Sequence, residues 1–200
     1  MIHRTLAYPF SVRPLQLLTL GTAIDRTRTL RGAVCGACAA AVWALEQPLD
    51  KLAFESAYDD VELLGRAVVR GDEGWYPAGI ALHMTGGAAL GAAYSNLAPV
   101  LPLPPVLRGP TIAVSTHLAL WPLTLVSDRF HPARKKLPSL SRNRRAFAQG
   151  IVRHVVFGIV LGELERRLNA VPEPAPLLSD TDVSSNGHGS IEHAISAESA

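Results

Sequence analysis

Residues 74–127 form a run of 54 with one charged side chain, Arg108. At the chain-wide level of 18% charged residues, about ten would be expected there. A soluble domain covers its outside with charge, and ordinary domains devote about a quarter of their residues to it. A run this long and this bare fits a chain whose outside faces lipid. The 200 residues and 48% hydrophobic content suit one compact unit and exclude a disordered chain. A net charge of +2, with Lys and Arg scattered among acids, excludes nucleic acid as a partner.

The pattern predicts an all-α integral membrane bundle of four spans in two pseudo-repeated pairs, with one amphipathic surface helix. The first span is expected over 30–47. Its uncharged part, 32–45, gives about 21 Å of helix against a hydrocarbon core near 30 Å, so it needs snorkelling flanks or a run on to Gln47 before Pro48. The second span, 76–97, opens beside Trp75 and Tyr76 as an interfacial aromatic pair and ends in the proline-rich stretch 99–105, which cannot continue a helix. The third, 109–127, has Pro110 suited to a first turn and Pro122 placed to kink the far end. The fourth, 146–162, lies between Arg142, Arg144 and Arg145 on one side and Glu163, Glu165, Arg166 and Arg167 on the other. It carries Gln149, Arg153 and His154 within it.

Over 49–70, Phe54, Ala57, Val61, Leu64 and Val68 recur every three or four residues, which predicts an amphipathic helix on the membrane surface or capping the bundle. Its acids Asp59, Asp60 and Glu62 read as a solvated face rather than as ligands for a hard metal, with Arg66 one turn beyond Glu62. Residues 1–29 are expected to lie along the surface, since 14–24 lacks the small-x-small site that would end a signal peptide. Residues 169–200, with Pro172, Pro174 and Pro176 and no Lys or Arg beyond 170, are expected to be a disordered tail. Basic residues divide ten against eight between the two sides, which assigns no orientation.

An internal likeness joins the second and fourth spans. GIALHMTGGAALG from Gly79 and GIVRHVVFGIVLG from Gly150 agree at six of thirteen positions, including His83 with His154 and Gly87 with Gly158. The first and third spans share Leu-Arg-Gly at Leu30, Arg31, Gly32 and Leu107, Arg108, Gly109. Together these suggest a duplicated helix pair whose halves run parallel. Gly79, His83, Gly87 and Gly91 are spaced by four, as are Gly150, His154, Gly158 and Gly162. Each set makes one stripe of small residues where helices approach in lipid, so both histidines should face protein. Counted from one membrane side, His83, His117, His154 and Arg153 fall in one layer about 10–15 Å deep. Glu46 is the acid best placed to pair with Arg153, with snorkelling toward Arg145 as the alternative.

The H-x-x-x-G-x-x-L-G cores, the Leu-Arg-Gly before the third span and the HPARKKLP turn from His131 resemble the YagU-like small bacterial inner-membrane proteins of unknown function, over residues 30–168. The resemblance implies a membrane location and brings no reaction or catalytic residues with it. Cys35 and Cys38 form a C-x-x-C in an Ala/Gly helix without a second cysteine pair, which reads as packing rather than thiol chemistry. No P-loop, dinucleotide fingerprint, H-E-x-x-H or G-x-S-x-G occurs, so no catalytic residue and no metal site is predicted. The expectation is a multi-pass cell-membrane protein, non-enzymatic, that handles protons or a small solute at a layer of His83, His117, Arg153, His154 and Glu46. The bland alternative has these histidines only packing. A further alternative is a redox membrane protein with haem ligated by His83 and His154. The expected partners are the lipid bilayer and copies of the same chain in a homo-oligomer.

Overall fold

A computed structural model describes residues 24–170. The surface segment expected over 1–29 lies mostly outside the described residues, and the tail expected over 169–200 almost wholly so. Among the described residues the chain is all-helical, without strands. The helices are α1 (Arg26–Ala53), α2 (Asp60–Val68), α3 (Trp75–Leu97), α4 (Pro105–Leu120), α5 (Thr124–Phe130) and α6 (Arg144–Leu168).

Helix starts follow the capping chemistry of their sequences. Asp25, Asp59 and Asn143 each accept a backbone N–H of the first turn of α1, α2 and α6, from Arg28, Glu62 and Ala146 respectively, which satisfies donors that have no partner inside the helix. Helix α4 starts four residues before the expected third span, because Pro105 occupies its first turn, where the missing N–H costs nothing; Pro110 therefore lies inside the helix. Pro122 interrupts the far end as expected, within a 3-10 turn at Trp121–Leu123 that separates α4 from α5.

Two expectations for the first half are corrected. Helix α1 does not stop at Gln47 but runs through Pro48 to Ala53. Its buried stripe, Gly32, Cys35, Gly36, Ala39, Ala40, Trp43, Gln47 and Asp50, steps by three or four throughout, and Pro48 falls on the exposed side of it. Tertiary burial of the stripe outweighs the one hydrogen bond that proline removes. The single amphipathic helix over 49–70 is consequently absent: residues 49–53 belong to α1, the chain turns at Phe54 and at Glu55, whose φ is 46°, and only Asp60–Val68 is a separate helix. Helix α2 lies against α3, backbone close to backbone: a Cβ on Gly65 would sit 2.8 Å from the carbonyl carbon of Trp75.

The long helices pack as two antiparallel pairs, α1 on α3 and α4 on α6, joined where α1 also packs on α6. Glycine sets both pair contacts. A Cβ on Gly91 would stand 2.8 Å from Gly36 Cα, and one on Gly158 would stand 2.5 Å from Pro110 Cα, distances no side-chain carbon tolerates. Between the pairs lies a core of Cys35, Ala39, Trp43, Tyr94, Phe157 and Leu161. Cys35 is buried in it, while Cys38 is exposed. At one end Arg28 binds Glu165 at 2.5 Å and the Ser95 carbonyl, joining α1, α3 and α6. Among the described residues, α6 is the one helix long and apolar enough by length and composition to cross a membrane; α4, at 16 residues, is short for a span by itself.

Candidate functional site: a histidine-lined cleft

Helices α3 and α4 make no extensive contact with each other, and a cleft of about 530 Å³ opens between them. Its floor is Trp43 and Phe157, its end is closed by Tyr58, Asp60 and Leu63 near α2, and His83, His117 and His154 all border it. The three expected histidines are thus brought together, His83 and His154 on the Trp43 indole and His117 on His154. Trp43 stands edge-on to His83 at 5.3 Å between ring centroids and to His154 at 4.6 Å, and His117 lies 4.7 Å from His154. Such ring contacts sit in the range where edge-to-face packing stabilises.

Each histidine has a different hydrogen-bonding state. His83 places Nε2 3.1 Å from the Ala40 carbonyl of the neighbouring helix. His154 places Nδ1 2.7 Å from the Gly150 carbonyl one turn back. His117 is wedged against Gly150, where a Cβ would come within 3.1 Å of its Nδ1, and forms a three-ring cluster with Trp121 and Phe147, which also touch each other. Its Nε2 is buried without a partner. The inward placement of the histidines follows from the stripe spacing. The haem geometry does not: Trp43 touches both His83 and His154, so the two imidazoles are set against a third ring rather than across an open slot. Among the described residues no group of His, Cys, Asp or Glu is disposed to hold a metal ion.

Arg153 is fully buried beside the cleft, and the acid that meets it is not Glu46. Its Nε and Nη2 grip both oxygens of Asp50, the second at 2.7 Å; Nη1 reaches Asp60 at 2.6 Å, and Nη2 also reaches the Tyr58 carbonyl at 3.2 Å. The guanidinium lies over the Tyr58 ring at 5.2 Å. Gln149 donates to Asp50 at 2.8 Å, Trp43 Nε1 donates to Asp60 at 3.0 Å, and the Tyr58 hydroxyl donates to the other Asp60 oxygen. A buried charge persists only when paired and bonded on all sides, and this one ties α6 to α1 and to the start of α2. Arg153 is therefore a clamp, not a group free to handle solute. Glu46 lies one turn short of Asp50, off the buried stripe, with one oxygen buried and unpartnered.

Asp50, Tyr58, Asp60, Trp43 and Gln149 are the residues that sequence reasoning missed. The signal for Asp50 was the three-four stripe itself, which continues from Trp43 through Gln47. The solvated-face reading of Asp59, Asp60 and Glu62 holds only for Glu62, which pairs with Arg66 at 2.7 Å. Burial opposes ionisation of Asp59, but the Lys51 ammonium and the Glu62 amide outweigh it and hold its carboxyl below the usual value. Burial, with the Asp60 charge beside it, pushes the Tyr58 hydroxyl well above its ordinary value, so it stays a proton donor to Asp60. Compared with known protein families, curated proteins and solved structures, the chain matches none.

Proposed function

We propose that the chain is a multi-pass membrane protein whose four long helical segments, α1, α3, α4 continued as far as Ser127, and α6, cross the bilayer as a duplicated pair, and that its cleft admits a small lipid-soluble molecule from the side. The observation that carries this reading is an inverted distribution of polarity. Arg153 and Gln149 are fully buried, while Leu30, Leu45 and Val106 are 69, 78 and 76% exposed. In water that arrangement would leave large aliphatic side chains exposed along the helices; in lipid it puts the polar groups where they find partners and the aliphatic side chains against lipid.

The cleft suits a ligand better than a proton path. Its charged neighbours are locked in the Arg153 clamp, and its open side lies between α3 and α4, the face that lipid would occupy. The glycine stripes are used inside one copy, at the α1–α3 and α4–α6 contacts, so they supply no basis for a homo-oligomer. Membership among the YagU-like proteins belongs to the same proposal and rests on the motif likeness alone.

Carbonate and high-salt washing of membranes should leave the protein in the pellet, and its release would end the reading. Reporters fused after Asp72 and after Lys136 should report one side and a fusion after Pro104 the other. Disagreement between the first two would remove the four-span arrangement while leaving a membrane location intact.

A further inference from the structure

The side of the molecule that carries the 131–143 connection is rich in Lys and Arg, and several of these charges meet a local acid: Lys51 pairs with Asp59, Arg66 with Glu62 and Arg145 with Glu55. Three that share one pocket do not. Near the end of α2, a pocket of about 600 Å³ is lined by Arg66, Arg70, Arg134, Lys135 and Lys136 together with Phe130, and by no acid. Asp72 bonds two of these cations from outside the lining, Lys136 at 2.5 Å and Arg66 at 3.4 Å. Arg70, Arg134 and Lys135 are exposed and have no acidic partner among the described residues. A concavity lined by one sign of charge focuses the field and favours an anion inside it.

The position of the pocket narrows the kind of anion. Phe130 is 68% exposed and follows Ser127, where the third membrane segment ends, by three residues. Leu123, Leu125 and Val126 lead up to it and are exposed as well. On the other wall the Arg66 guanidinium lies over the ring of Trp75 at 4.9 Å, at the start of α3. The cations therefore stand at the level where two membrane segments meet water, with an apolar helix face running into them. A free phosphate would use the cations and leave Phe130 and the aliphatic face uncovered. A fatty-acid carboxylate would cover that face but bring only two oxygens to three cations. A phospholipid uses both features: its phosphate oxygens match the guanidinium fork and the lysine ammonium, and basic pockets at the ends of spans are suited to anionic head groups.

We propose that this pocket holds the head group of an anionic phospholipid, its phosphate among Arg70, Arg134 and Lys135 and its chains against Phe130 and the outer face of α5. This rests on the membrane reading above and gives one side of the bundle a defined lipid partner. The full chain, purified in mild detergent, is titrated with dioleoyl phosphatidylglycerol or dioleoyl phosphatidylcholine, and the lipid adducts are measured by native mass spectrometry.

Phosphatidylglycerol should bind in preference to phosphatidylcholine. Each basic residue at such a surface contributes about fivefold, so the triple variant Arg70→Gln, Arg134→Gln and Lys135→Gln should weaken that binding on the order of a hundredfold. Its thermal midpoint should be unchanged, because all three side chains are exposed and unpaired. The control triple variant Arg142→Gln, Arg144→Gln and Arg145→Gln removes the same charge from a separate pocket that has no aromatic residue, and should leave the preference intact. Equal losses in the two triple variants would show attraction to surface charge in general. Equal binding of phosphatidylcholine would show that the chains alone are held, and displacement of the lipid by an equal concentration of inorganic phosphate would show a site for free anions; each of these results overturns the proposal. Carbonate extraction keeps the two readings apart: a protein that stays in the membrane but shows no preference loses only the lipid site, whereas release from the membrane removes the ground for both.

Discussion

The α1–α3 and α4–α6 pairs begin from the same contact and part ways at one position. In both, a glycine eight residues ahead of the divergence, Gly32 or Gly109, meets the glycine stripe of the partner helix. In α1 the residue eight positions on is Ala40, and the pair stays closed: a Cβ on Gly87 would lie 2.6 Å from Ala40 Cβ, and His83 reaches the Ala40 carbonyl across the contact. In α4 the residue eight positions on is His117, and an imidazole is wedged where the other pair has a methyl group. Gly150 makes room for it, so the ring edge packs on α6 while the residue borders the cleft. Small residues repeated along a membrane helix give a dry seam; one large polar residue in the same stripe gives a site.

The largest effect should come from removing what joins the pairs. Arg153→Met leaves Asp50 and Asp60 buried without their counter-charge, and breaking a buried, multiply bonded ion pair from one side typically costs about 3–5 kcal/mol. Thermal unfolding in detergent should show that loss, and Arg153→Lys should recover only part of it, since one ammonium cannot grip Asp50 with a fork and reach Asp60 as well. A midpoint close to that of the unaltered protein in Arg153→Met would mean that the clamp does not hold α1, α2 and α6 together.

Next in size are the seams. Gly87→Leu and Gly158→Leu insert side chains where backbones touch, at about 1–3 kcal/mol each for overpacking, whereas Ile159→Ala, on the 53% exposed outer face, should be close to neutral. If Gly87→Leu is costly and Gly158→Leu is tolerated, the second pair is the looser one along its whole length and not only at His117.

The seams were legible in the sequence because glycine spaced by four has one geometric consequence, and the inward placement of His83 and His154 came with it. The clamp was not. Pro48 reads as the end of a helix, and with the helix ended at Gln47 the last inward acid is Glu46. Only when burial of the whole stripe carries α1 through the proline does Asp50 come round to Arg153. The same extension shortens α2 and turns Asp60 from a surface acid into a partner for Arg153, Trp43 and Tyr58, a change that no local periodicity in 49–70 records. The cleft was illegible for a different reason: it is the place where two helices do not meet, and motifs describe contacts.

The smallest expected effect tests the loop that follows the second pair's break. Asp128, near the end of α5, accepts from the backbone N–H of Leu140 and of Ser141, both at 2.9 Å, and from the Ser139 hydroxyl at 2.8 Å, which ties the 131–143 connection back to the helix before α6. Partial burial opposes its ionisation, but these donors outweigh burial and hold the carboxyl below its ordinary value. A carboxyl whose folded value is depressed stabilises fully above its unfolded value, near 4, and loses that contribution as pH falls from there through the folded value. Asp128→Asn removes the charge while keeping one acceptor oxygen, so it should lower stability by on the order of 1 kcal/mol at neutral pH, a small amount because the loop is partly solvated. The difference in thermal midpoint between the two proteins should be constant from neutral pH down to about 5 and should close as pH falls below about 4. Other carboxylates that hold ion pairs, such as Asp59, contribute the same acid sensitivity to both proteins, so the difference isolates Asp128. A gap that persists unchanged to pH near 3 would show that the side chain works there by its shape alone, and that the connection into α6 is fixed by Leu140, which is only 2% exposed, rather than by the carboxylate.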